Sequence, residues 1–221
     1  MPADASVGMR HWERPYWWWG DPWAPACTVS LEGLVAAGVL TAGQSRDLIR
    51  RATAGGSVVI AAAESGAGKS MVARALIDYL PPERHRIYIR GNHEPFDWVG
   101  VIPPEQGTLL VNEFSPHLPT YCWGDTARRV LDLVRAGYQL IATIHAATAE
   151  EAATTLASQS SLTAPEIRSL ADILILAPVD LLGLHRLTDG GESLRGIPAL
   201  RPTCRYDQDC GRRLDVTPRA G

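Results

Sequence analysis

The residues that promise chemistry lie in one stretch, Ser65-Gly66-Ala67-Gly68-Lys69-Ser70-Met71, which follows the unbroken apolar run Val58 to Ala63. The run predicts a buried strand, and Lys69 to Leu80 reads as a helix closed by Pro81-Pro82. A strand, a glycine-rich turn and a helix in that order make a phosphate cradle. Glycines let backbone N–H groups turn inward, and the helix start adds the positive end of its dipole. The spacing assigns residues Ser65 to Met71 to ATP, with Lys69 on the β- and γ-phosphates and the Ser70 hydroxyl on Mg2+. The usual pattern, G-x-x-x-x-G-K-[ST], begins with glycine. Ala63 stands there instead, which a negative φ tolerates at modest cost.

Further candidates follow along the chain. Glu113 ends the apolar strand Thr108 to Glu113 and would lie beside the cradle if the two strands are neighbours. A carboxylate there can orient or deprotonate an attacking water, or it can merely cap a loop. Asn112 precedes it, where many P-loop proteins place a Mg2+-binding Asp, so Mg2+ would rely on Ser70, water and the phosphates. His145 follows the strand Gln139 to Ile144, emerging at the edge that presents Lys69 and Glu113; it could sense the γ-phosphate, meet a neighbouring subunit, or be structural. Glu94 and Asp97 flank Pro95-Phe96 after the strand Arg86 to Arg90. Such a pair could hold Mg2+ or polarise water, or sit in a solvated loop.

The elements that must position these groups alternate. Two short helices come first, over Leu31 to Ala37 and from Thr41, whose spacing to Gln44 is that of a capping box, to Gly55-Gly56. Beyond the cradle, Ala127, Val130, Leu131 and Val134 recur at helical spacing, with Gly137 as the stop. Thr148 with Glu151 and Thr163 with Glu166 start two more helices, and Ile173 to Leu176 is a last core strand. Continuous apolar strands separated by helices imply an α/β fold, a mostly parallel sheet with helices on both faces. A hairpin is expected at Asp189-Gly190-Gly191, and residues 200–221 read as a poorly ordered tail.

The chain has 221 residues with a net charge of -3, which suits one α/β domain with short extensions and argues against free nucleic acid as main partner. No apolar run approaches the roughly 18 residues of a spanning helix, and the start lacks the basic-then-apolar order of a signal peptide, so the cytoplasm is the expected compartment. Cys27 and Cys122 are isolated, and Cys204 and Cys210 lack the tight spacing and second pair of a zinc site. Residues 1–27 form a Trp/Pro-rich arm in which Trp12, Trp17, Trp18, Trp19 and Trp23 have few aliphatic neighbours. Such an arm either packs its indoles on the domain at residues 28–199 or serves as an interface.

These pieces in this order resemble the secretion and traffic ATPases of type II and type IV secretion, type IV pili and tight-adherence pili. Glu94-Pro95-Phe96-Asp97-Trp98 is similar to their acidic "Asp box", Leu109-Leu110-Val111-Asn112-Glu113 to their Walker B, and Thr143-Ile144-His145-Ala146 to their "His box". Leu31-Glu32-Gly33-Leu34-Val35 through Gly38, Leu40 and Thr41 resembles the linker before the P-loop. The resemblance covers roughly residues 30–180. It implies a RecA-like domain, Mg-ATP hydrolysis with Glu113, Glu94 and His145 as catalytic residues, and a homo-oligomer, a hexameric ring. It further implies inner-membrane secretion or pilus-assembly partners and a cytoplasmic position, peripheral to the membrane's inner face.

The chain departs from the family pattern in three places. Too few residues precede the first core strand for the usual N-terminal domain, only Val99 to Gly107 separate the Asp box from the Walker B, and Phe114-Ser115 stand where an arginine often follows the acid. Transition-state arginines are worth orders of magnitude in rate. Three functions therefore stay open: an ATPase powering export or pilus assembly, an ATP-binding regulatory or assembly module with little turnover, and a small phosphotransferase, for which Arg84, Arg86 and Arg90 are the only nearby lid candidates.

Overall fold

The computed structural model describes residues 10–15 and 30–176. The expected hairpin, the C-terminal tail, Cys204, Cys210 and most of the tryptophan-rich arm lie outside these residues.

Helix α1 (Leu31–Ala36) starts where the Ser30 hydroxyl accepts from the Gly33 amide, and α2 (Ala42–Thr53) starts on the Thr41–Gln44 capping box, formed in both directions. The parallel strands are β1 (Ser57–Ala62), β2 (His85–Tyr88), β3 (Gly107–Phe114), β4 (Gln139–His145) and β5 (Ala171–Ile175), laid side by side in the order β2-β3-β4-β1-β5. Between them run α3 (Lys69–Ile77), α4 (Gly124–Arg135), α5 (Ala149–Ser158) and α6 (Ala164–Leu170). Every residue of β1 and β3 is buried, as expected of strands covered on both faces.

The pleat sorts their side chains into two cores. Val59 and Ala61 of β1, Leu109 and Val111 of β3, and Leu140, Ala142 and Ile144 of β4 face α4, α5 and α6. Val58, Ile60 and Ala62, with Leu110 and Ile141, face α1, α2 and α3. Helices thus cover both sides of a parallel sheet in a RecA-like P-loop arrangement.

The structure decides one condition left open by the sequence and trims several elements. Strands β1 and β3 are not neighbours, because β4 pairs with both of them. Helix α3 stops at Ile77 rather than Leu80, since Tyr79 and Leu80 make tight i→i+3 bonds to Leu76 and Ile77 ahead of the two prolines. Strand β2 ends at Tyr88, although the Ile89 amide still reaches the Leu110 carbonyl at 3.0 Å. At the start of α5 only half of the expected box forms. Thr148 accepts from the Glu151 amide, but the Glu151 carboxylate accepts from the Ala147 amide. The box at Thr163 and Glu166 is complete.

Candidate functional site

The site is built at the C-terminal ends of β1, β3 and β4. After Ala62 the chain turns through Gly66 (φ 81°) and Gly68 (φ 92°) and enters α3 at Lys69. Gly68 has no substitute here: its φ is left-handed, and an added Cβ would lie 3.1 Å from Val39 Cγ1. Ala63 is not among the residues with positive φ, so the missing first glycine costs no backbone strain. The amide groups of Ser65 to Ser70 donate to no other described backbone group. A row of unspent N–H donors at a helix start is the chemistry of an anion cradle.

Lys69 is buried at its base. Its ammonium donates to the Glu64 carbonyl at 3.2 Å and lies 3.4 Å from both ring nitrogens of His145. Burial lowers its pKa below the ordinary lysine value, and the Glu113 carboxylate opposes that shift. His145 closes the cluster from β4, with Nε2 3.5 Å from Glu113 Oε2. The intervening strand therefore supplies a bridge: Lys69 and Glu113 meet across His145 although their strands are not paired.

Glu113 is 8% exposed, and its Oε1 has no hydrogen-bond partner; the Asn112 amide oxygen is likewise buried and unpartnered. Buried acceptors left empty cost about 1–3 kcal/mol each. The Glu113 oxygen, on the carboxylate that meets His145, is open to a donor. Among the described residues no three His, Cys, Asp or Glu side chains gather as a metal site.

Glu94 is placed differently. Its Oε2 accepts from the Arg90 amide at 2.9 Å, and its Oε1 accepts from the Phe96 amide at 3.2 Å and from Trp98 Nε1 at 2.8 Å. It follows β2, the edge strand, which pairs with β3, the strand of Glu113. Lys69, His145 and Glu113 meet side chain to side chain, whereas the Glu94 carboxylate is engaged by groups of its own loop. Asp97 pairs with His11 at 3.2 Å. Residues 10–15 dock beside β2, where Glu13 meets His85 Nδ1 at 2.5 Å, Arg90 donates to the His11 carbonyl at 2.9 Å, and Trp12 packs on the α4–α6 core.

The alternation of the sequence missed one neighbour of Glu113: the half-buried Tyr121, whose pKa burial and the Glu113 charge both raise. No hydrophobic period points to it, because it lies in the loop after β3. A cleft of about 660 Å3 lined by Trp123, Arg128, Gln159 and Ser160 opens elsewhere, and none of the cluster residues lines it.

No family model and no curated protein matches the chain. Among solved structures it is similar to the crystal structure of the VirB11 ATPase from the Brucella suis type IV secretion system in complex with sulphate. The identity is 21%, the match covers 72% of this chain and 54% of that one, and the TM-score is 0.43. The chain thus spans about half the length of that protein. By its description that protein is an ATPase of a secretion system.

Proposed function

We propose that this chain binds Mg-ATP at Ser65 to Met71 and hydrolyses it as a minimal secretion- or pilus-type ATPase, powering macromolecular export or pilus assembly. The observation that carries the reading is the convergence of Lys69, His145 and a buried, partly unpartnered Glu113 at the mouth of the cradle. Bound Mg-ATP supplies the phosphoanhydride that is cleaved and a cation that neutralises its charge. Lys69 would hold the phosphates, the open amides would orient them, and Ser70 would ligate Mg2+. The Glu113 carboxylate accepts the proton of the attacking water, and His145 steadies the carboxylate and the ammonium relative to each other. The two amides and indole that hold Glu94 favour a positioning role for it.

The working form in this reading is a ring of six copies at the inner face of a membrane, as the motif resemblance implies. No helix among the described residues is long and apolar enough to cross a membrane. The second reading, an ATP-binding assembly module with little turnover, is favoured by Asn112 in place of an acid and by Phe114-Ser115 in place of an arginine. Steady-state ATP hydrolysis of the purified chain beside Lys69→Ala, with light scattering on the same samples, separates the two. Turnover that the variant loses supports the ATPase. Equal rates in both samples reject it in favour of the module.

A further inference from the structure

Strand β3 does not run evenly into the site. Val111 pairs with Ala142 and Phe114 with Ile144, so two residues of β3, Asn112 and Glu113, stand against Thr143 alone. This is a β-bulge, and it inverts the pleat. Before it, Leu109 and Val111 face the α4–α6 core; after it, that place is taken by Phe114, the residue of opposite parity. An unbroken strand would send position 113 into that core. The extra residue instead leaves Glu113 on the side of His145 and the cradle.

A bulge removes carbonyls from the ladder, and here each finds another donor. The Glu113 carbonyl accepts from the Cys122 amide at 2.8 Å. The Asn112 carbonyl accepts from the Thr143 hydroxyl at 2.6 Å, and Thr143 is fully buried. The second contact is a buried side-chain hydrogen bond on that carbonyl, and losing it would leave the bulge one bond weaker.

We propose that Thr143 is the positioning residue of this site: its hydroxyl pins the bulge that turns Glu113 away from the core and towards His145. The inference rests on Glu113 as the reacting carboxylate for its kinetic consequence, but the geometry stands apart from any turnover. Thr143→Val keeps the shape and removes the hydroxyl, so the bulge loses its pin and Glu113 moves off His145. Thr143→Ser keeps the hydroxyl.

The test reads the imidazole NMR signals of His145, assigned with His145→Gln, in the wild type, Thr143→Val, Thr143→Ser and Glu113→Gln. The expected result places Thr143→Val with Glu113→Gln and Thr143→Ser with the wild type. Turnover in Thr143→Val is expected to fall on the order of 100-fold, the scale of a misplacement near 1 Å, with Mg-ATP affinity retained and the rate restored in Thr143→Ser. A folded Thr143→Val whose His145 signal stays at the wild-type position overturns the proposal. Should the valine variant fail to fold, Thr143→Ala decides by the same criterion. A wild type without turnover rejects the hydrolytic reading and leaves the NMR comparison to judge the bulge.

Discussion

Two acids, Glu113 at the end of β3 and Glu94 after β2, carry the same chemistry in different surroundings. Glu94 has its oxygens occupied by two amides and an indole of its own loop. Glu113 keeps one buried oxygen without a partner and faces His145. A carboxylate saturated by the backbone braces a loop, whereas one held partly unsatisfied is ready to accept a proton or a donor from a ligand. The contrast teaches that an acid near a P-loop is assigned by what its oxygens already hold, more than by its place in a motif.

The largest effect should come from Glu113. Glu113→Gln should retain Mg-ATP and lose turnover by about 10²–10⁴-fold, since the amide cannot accept the water proton. Its melting temperature should not fall, because a buried charge with an empty oxygen stabilises little. Wild-type turnover in this variant would break the comparison at its centre.

Glu94→Ala should act on stability. It leaves the Trp98 indole N–H, on a side chain that is 0% exposed, without its acceptor, and should cost about 1–3 kcal/mol in chemical denaturation. If the variant instead keeps its stability and loses turnover as Glu113→Gln does, Glu94 belongs with the reacting groups and the contrast fails.

A smaller effect is expected where the arm meets β2. Trp12 is half-buried, and the pairs His11–Asp97 and Glu13–His85 are partly exposed, so each pair contributes roughly 0.2–1 kcal/mol. Trp12→Ala should lower stability by about 1–2 kcal/mol through lost apolar contact. An unchanged melting curve would mean that this segment decorates the edge strand without stabilising it.

Much of this was legible in the sequence. The unbroken apolar runs gave the strands because both faces of the sheet are covered, and the caps at Thr41, Thr148 and Thr163 fell where helices begin. The cradle was legible because its strand, glycines and helix are local. What the sequence could not give was long-range order. That β4 lies between β1 and β3 is set by packing between distant segments, so His145 as a bridge was out of reach. The bulge at Asn112 and Glu113 hid for a related reason: it becomes visible only when β3 is laid against β4. A trace of it exists in the sequence, since Phe114 falls on the wrong parity after Leu109 and Val111. The unsaturated state of Glu113 and the saturated state of Glu94 depend on contacts that no spacing rule records.

The central claim is that Lys69 and the open amides around it form a nucleotide site, and calorimetry with Mg-ATP tests it most directly. The wild-type chain should bind saturably, and Lys69→Ala should lose most of that affinity, because a charge-assisted contact to phosphate goes without replacement. Equal affinity in the two proteins, or no binding to the wild type, would contradict the account.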